Sequence, residues 1–344
     1  MRDIFLISDY KDRFGSSYSA KIYKGGMDHV RLKKYFNESG FNAIFINASS
    51  INFKQSHKNK LFLYTSTEDP DYLYKSFIED IVLGLEISGA IVIPSHKYLR
   101  AHNNKVFMEI LRDHLIIKSI CNVKSSYFGS YEDFLKNLPN INDTVVIKSS
   151  AGAGGRGVSK ASGITNIKRS LKKISSSKNF LKDLKDYLRI FKHKNYVPRS
   201  KNRKKFIVQN FISGLDNDWK ILIYGEYYYV MFRPNKKNDF RASGSGHDNY
   251  IYGDKTPIPK GLLTFAKSVY ECFNVPNISL DVAYNGEEFF LIEFQALYFG
   301  SVCQVRSNSY HCLVNNDWTL VKEKLKLERV YVESIIYFIK NNNL

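Results

Sequence analysis

The stretch Asn277-Ile-Ser-Leu-Asp281-Val-Ala-Tyr-Asn285-Gly286-Glu-Glu-Phe-Phe-Leu-Ile-Glu293-Phe-Gln295 reads as a β-hairpin, two apolar-rich strands around a turn dipeptide. Two carboxylates, Asp281 and Glu293, interrupt these strands. Apolar strands do not bury two anions without a counter-charge. A two-residue turn at Asn285-Gly286 would put the acids on opposite faces. A three-residue turn through Glu287, or a bulge, puts them on one face and roughly diagonal, and this is the expected register. Asp281, Glu293 and the Gln295 amide oxygen then offer hard oxygen ligands, suited to Mg2+ bridging nucleotide phosphates.

Upstream, the strand Thr144-Val-Val-Ile-Lys148 ends in a lysine and runs into Ser149-Ser150-Ala-Gly152-Ala-Gly154-Gly155-Arg156-Gly157. This loop matches G-x-G-x-x-G, a weak signal alone. A dinucleotide-binding turn would open a helix and place an acid about 20 residues on. Val158-Ser-Lys-Ala follows instead, and Ser170–Phe180 holds no acid. Val158 stands where a P-loop needs Lys, and neither His-Arg-Asp nor Asp-Phe-Gly of a protein kinase occurs. A lysine at a strand end beside a glycine loop covers phosphates from two sides, by its ammonium and by the loop N–H groups with Arg156. The plainer reading is a Gly-rich hairpin with an incidental lysine. The acid pair downstream weighs against it.

In this order, the strand-end lysine, the glycine loop, the Gln209-Asn-Phe-Ile212 strand and the Asp281…Glu293-x-Gln295 hairpin resemble the ATP-grasp superfamily. The type is that of the ribosomal-protein-modifying and glutathione-synthetase-like carboxylate–amine ligases. The resemblance spans about Asn104 to Gly300. It implies an α/β chain, α+β in its C-terminal part: an N-terminal open α/β domain, then a two-subdomain ATP-grasp fold with the nucleotide between two antiparallel sheets. The implied division is 1–103 for the substrate-side domain and 104–208 for the small subdomain with its lid and a basic helical insertion. The large subdomain, 209–344, carries the metal hairpin and a C-terminal helix. ATP and Mg2+ are the implied cofactors. Lys148 would hold phosphates, with Ser150, Gly152, Gly154, Gly155, Arg156 and Gly157 closing over them and Lys105 assisting from a helix start. Gln209, Asn210, Phe211 and Ile212 would meet the adenine by their backbone, although Asn210 stands where the family often has Glu. Gly214-Leu-Asp216-Asn-Asp218-Trp-Lys220 resembles Gly-x-Asp-x-Arg with Lys for Arg, and implies Asp218 or Asp216 at the ribose or ordering the site. Asp239-Phe-Arg241-Ala-Ser243-Gly-Ser-Gly246 resembles Phe-Arg-x-Asn…Gly. Arg241, Arg233 and Lys148 would stabilise the transferring phosphoryl group, while Asp281, Glu293 and Gln295 would hold metal. The implied reaction forms an acyl phosphate from ATP and a carboxylate, and an amine then displaces phosphate to give an amide.

Composition bounds the alternatives. The chain has 344 residues and a net charge of +18. Between Lys160 and Lys205 stand 16 Lys/Arg and two acids, Asp183 and Asp186, a local net of +14. Two amphipathic helices are expected here, around Ile167–Ile174 and Phe180–Phe191. The second lines up Leu181, Leu184, Leu188 and Phe191 on one face, in a spacing that suits packing. Pro198–Lys205 has nothing to bury and reads as a mobile loop. The segment is either a solvated face or a dock for an acidic small molecule, glycan or carrier that reacts with an amine. A nucleic-acid binder using the same segment would leave Lys148, Asp281 and Glu293 without a role. An ATP-grasp kinase acting on a hydroxyl is the nearer alternative. Surface-polysaccharide or natural-product assembly is the expected setting.

The first 100 residues alternate strand and helix patterns: Ile4–Ser8, His29–Asn37, Ala43–Ile46, Tyr72–Ile87 and Ala90–Pro94. This predicts an open α/β sheet. Alternating strands follow at Lys220–Tyr224 and Tyr227–Phe232, and Trp318–Asn341 reads as one long helix. No apolar run is long enough to span a membrane, and the start reads as a strand, not a signal peptide. Cys121, Cys272, Cys303 and Cys312 form no Cys-x-x-Cys pair and fit a reducing, cytoplasmic setting. No Ser/His/Asp or Cys/His constellation stands out. Among the histidines only His247 lies beside the site segments. Tyr298–Ser301 and Arg306 are expected at the acceptor pocket. The oligomeric state is open, with a dimer compatible.

Overall fold

The computed structural model describes residues 1–15, 26–66, 70–115, 120, 123–138, 143–152, 157–237, 239–242 and 249–344. The chain opens with β1 (Arg2–Ser8), α1 (His29–Glu38), β2 (Phe41–Asn47), β3 (Leu61–Tyr64), α2 (Leu73–Ile87), β4 (Ile91–Ile93) and α3 (His96–Ala101). Asp28 caps α1 by accepting from the Val30 and Arg31 N–H groups. The four strands pair in parallel, in the order β2-β1-β3-β4. The expected open α/β sheet is therefore present. β3 escaped the sequence reading because all four of its residues are buried and show no alternation.

The middle of the chain forms α4 (Lys105–Leu115), β5 (Ser125–Phe128), α5 (Tyr131–Lys136), β6 (Thr144–Ser149), β7 (Val158–Ser162), α6 (Ile164–Ile174), α7 (Phe180–Lys192) and β8 (Phe206–Asn210). Its strands make an antiparallel sheet, β5-β8-β6-β7. Phe134, Val145, Ile147, Ile167, Leu171 and Phe206 are buried together beneath it.

The rest forms β9 (Asn217–Tyr224), β10 (Tyr227–Pro234), β11 (Ile251–Tyr252), α8 (Leu262–Glu271), β12 (Asn277–Tyr284), β13 (Phe289–Gln295), α9 (Val302–Arg306), β14 (Tyr310–Val314), β15 (Asp317–Val321) and α10 (Leu327–Asn341). The second antiparallel sheet runs β13-β12-β9-β10-β14-β15, with β11 on β10. Trp318 lies in β15, so the expected C-terminal helix is split into a strand and a helix from Leu327. The β14–β15 hairpin turns at Asn315-Asn316, both with positive φ (51° and 68°), a signature readable in the sequence.

By packing the chain divides into two compact units: 1–102 with 115–120 and 215–344, and 103–114 with 121–214. In the first, one core joins Leu6, Leu32 and Leu63 of the N-terminal segment to Leu222, Val330 and Ile335. Residues 1–102 thus share their core with the later sheet, whereas the sequence reading set 1–103 apart.

The helix at Phe180–Lys192 departs from its expected packing. Leu181, Leu184, Leu188 and Phe191 are exposed, and the buried residue of α7 is Asp186. The loop after it is not loose. Lys204 N–H donates to the Ser175 carbonyl, Ser177 N–H to Lys201 and Tyr131 N–H to Asn202.

Candidate functional site

In the smaller unit, β6 carries Lys148 to its end, where it pairs with Val158 and Ile207 and is buried. Lys105 opens α4 as expected. Its N–H donates to the Ser150 carbonyl at 2.8 Å, and its Nζ to the Gly152 carbonyl at 3.0 Å. Ser150 Oγ meets Asn104 Oδ1 at 3.2 Å, and Lys205 Nζ donates to the same oxygen at 2.7 Å. The structure therefore gathers Lys105, Ser150 and Gly152 and adds Lys205, which sequence reasoning missed inside a run of similar lysines. Gly157 closes the loop at φ +71°, and a Cβ there would lie 2.1 Å from Ser149 Oγ. Gly154, Gly155 and Arg156 lie outside the described residues.

The segment expected to face the adenine, Gln209–Ile212, runs from the end of β8 into the residues after it. Asn210 N–H donates to the Lys124 carbonyl at 3.1 Å, and Phe211 N–H to Thr144 at 3.3 Å, because the strand is paired on both sides. Those two donors are already used. The Gln209 amide is buried and donates to Glu109 Oε1 at 3.2 Å. Glu109 also accepts from Ser125 Oγ at 2.6 Å and lies 3.3 Å from Arg112, wholly out of solvent. Lys160 Nζ stands 3.6 Å from the Phe211 ring centroid.

In the larger unit the register assembles a row of charges. Asp281 lies opposite Glu293 on β13 and opposite Lys220 on β9, and Asp218 lies opposite Arg233 on β10. Opposed residues and i, i+2 neighbours share a face, so all five project to one side. The acids share a face as expected, but they are directly opposed and not diagonal. Residues 285–288 connect the strands, with Asn285 Oδ1 accepting from Glu287 and Glu288 N–H. A bulge at Ile292 then moves Glu293 from the face it would otherwise take onto that of Asp281.

The contacts are those of a salt-bridge chain. Arg233 donates to both Asp218 oxygens, at 2.5 and 2.7 Å, and lies 2.9 Å from Asp281 Oδ2. Lys220 Nζ donates to Asp281 Oδ1 at 3.1 Å. Burial alone would raise the Asp281 carboxyl, but Arg233 and Lys220 outweigh it and hold it well below the usual carboxylate range. Asp218 is shifted the other way by burial, against the pull of Arg233. Asp218, expected at the ribose or ordering the site, has its carboxylate on Arg233. Gln295, opposite Ser279, lies 3.4 Å by its Nε2 from Glu293 Oε1. Among the described residues the buried Ser279 Oγ has no hydrogen-bond partner, an orphaned polar atom beside the acid pair. Arg241 is gripped within its own loop, its Nε 2.9 Å and a terminal nitrogen 2.6 Å from Asp239 Oδ2. Ser243, Gly244, Gly246 and His247 lie outside the described residues.

A small cavity of about 40 Å3 opens beside the ends of β3 and β4, lined by Tyr64, Thr65, Pro94, Asn277, Tyr298 and Phe299 among others. Tyr298 has a left-handed φ of 50°. Ligands of open α/β sheets collect at the strands' carboxyl ends. Two of the expected acceptor-pocket residues, Tyr298 and Phe299, are here. Ser301 is buried at the start of α9, and Arg306 lies over the Tyr252 ring.

No protein-family model matches the chain, and no curated protein does. Solved structures do. The RimK-domain ATP-grasp protein of Sphaerobacter thermophilus is 11% identical, with a TM-score of 0.50, covering 97% of this chain and 99% of its own. D-cycloserine synthetase DcsG is 9% identical, with a TM-score of 0.54 and 97% and 98% covered. The ATP-grasp ligase PsnB, complexed with a minimal precursor, is 9% identical, with a TM-score of 0.52 and 98% and 99% covered. At such identities the shared property is the architecture, over nearly the whole length of each chain. The chain has the ATP-grasp fold.

Proposed function

We propose that the chain is an ATP-dependent ligase that joins a carboxylate to an amine through an acyl phosphate. The observation that carries this reading is the bulge-set row of Arg233, Asp218, Lys220, Asp281 and Glu293 on one sheet face. A purely structural sheet gains little from a buried chain of ions that a packed apolar face would replace at no loss. As phosphate moves to the substrate carboxylate, negative charge spreads over the phosphoryl oxygens, and preorganised cations stabilise it. Arg233, fixed by two carboxylates, is such a cation. Lys105, Lys148 and Lys205 supply positive charge for a polyphosphate in the smaller unit, and the Gln209–Ile212 backbone would meet the adenine.

Asp281 and Glu293 suit a hard divalent cation, with phosphates and water completing the shell. Among the described residues no group of three His, Cys, Asp or Glu side chains can hold a metal unaided. Mg2+ bound there would neutralise phosphate charge and would compete with Lys220 for Asp281. The amine needs no protein nucleophile, since the acyl phosphate is already activated.

The test is ADP release from ATP, expected to require both a carboxylic acid and an amine. Glu293→Gln should lower it by about 10²-fold or more while leaving the unfolding midpoint in place. Undiminished turnover would remove the metal assignment. ADP formed with a phosphorylated alcohol, without any need for an amine, would replace ligation by kinase chemistry.

A further inference from the structure

Helix α7 is built inside out. A surface helix normally turns its apolar stripe to the core and its charges to water. Here Phe180 (81% exposed), Leu181 (70%), Leu184, Tyr187, Leu188 and Phe191 (75%) face solvent. At 100° per residue they fill one arc, and Asp186 lies opposite it. Asp186 is 7% exposed and is the helix's anchor. It accepts from Tyr196 Oη and from Arg199 N–H, the latter at 2.6 Å, and lies near the guanidinium of Arg189. The polar anchor thus holds the apolar face outward. Lys182, Lys185, Arg189 and Lys192 border that face along one flank, in the segment that carries +14.

We propose that α7 docks the chain on an anionic lipid bilayer, its six apolar side chains entering the boundary between headgroups and acyl chains and its lysines meeting the acidic headgroups. Six adjoining apolar side chains are more than the scattered exposure of an ordinary surface, and mark a contact. A second copy is a poor occupant, because it would bring a second +14 against the first. A nucleic acid answers the charge but gives Leu181, Leu184 and Leu188 nothing to bury in. An acidic protein would need its own groove for the convex face of a single helix. A bilayer satisfies both halves at once, since a basic helix with a Phe/Leu face lies in its interfacial plane. The helix is far too short to span, and no described helix is long and apolar enough to cross a membrane.

The test is co-sedimentation of the whole chain with vesicles of phosphatidylcholine containing about one-third phosphatidylglycerol. Binding is expected, at least ~10-fold weaker to pure phosphatidylcholine and weakened by salt. Leu184→Asp with Leu188→Asp should cut it ~10-fold or more. Both positions are exposed, so the unfolding midpoint should not move. Lys185→Gln with Lys192→Gln should weaken binding to the anionic vesicles alone. No vesicle binding overturns the proposal, and so does binding that ignores the leucine changes, which would be charge attraction only. Soluble polyglutamate captured in place of vesicles, with the same leucine dependence, would reassign the face to an acidic polypeptide. A dimer that the leucine changes dissociate would reassign it to a second copy.

Discussion

Arg233 sits between two carboxylates on the interior face of a sheet, and its neighbours are the reason it can be there. Asp218 takes two of its N–H donors and Asp281 another, so the guanidinium's desolvation is offset by three charge-assisted bonds. Removing it would leave two buried acids with Lys220 alone. Arg233→Ala is expected to cost about 3–5 kcal/mol of stability, measured by urea denaturation, because an uncompensated buried charge remains. Loss of activity at unchanged stability would mean that water already reaches the cluster. The individual acids were visible in the sequence as carboxylates in apolar strands. Their partners were not, because Lys220 and Arg233 lie 61 and 48 residues before Asp281 and only pairing makes them neighbours.

At the level of elements, two devices set positions that propensity alone leaves open. The first is the β6–β7 turn, where Gly157 is forced to be glycine by a left-handed φ and by Ser149 Oγ. Gly157→Ala should destabilise the smaller unit by about 1–2 kcal/mol, from the backbone conformation alone. An unchanged denaturation midpoint would show that the turn relaxes. The second is the anchor of α7. The hydrogen bond from Tyr196 and then that from Arg199 N–H lower the Asp186 carboxyl below its usual range. A carboxyl lowered on folding stabilises the fold above its unfolded pKa, and that contribution fades as pH falls through the lowered folded value. Carboxyl-carbon NMR should place the Asp186 midpoint below the ordinary value of about 4. A midpoint at or above it would mean the anchor is not formed in solution. The apolar stripe of α7 was legible as a helix but not as exposed, since a 3.6-residue period is the same whether the stripe meets a core or water.

Over the whole molecule, the chain carries separate cores. Phe134, Ile147 and Phe206 belong to one unit, and Leu6, Leu222 and Val330 to the other. Units that bury their own apolar surface unfold with their own midpoints. Calorimetry is therefore expected to give a measured unfolding enthalpy above the van't Hoff value, and equality of the two would mean one cooperative unit. The joining of residues 1–102 to 215–344 was hidden in the sequence, because it rests on contacts such as Asp28 N–H to Glu328 Oε1 across 300 positions. The sequence by itself determined the local and ordered features. These are the strand-end Lys148, the acid-bearing hairpin, the open N-terminal α/β sheet and the basic helical segment, each written in period, turn chemistry or charge over a few residues. Only the tertiary structure decided that a bulge at Ile292 sets Asp281 against Glu293, that Lys220 and Arg233 hold those charges, and that α7 turns its leucines to solvent. Register and burial are properties of pairs distant along the chain, and no short window of sequence contains both partners.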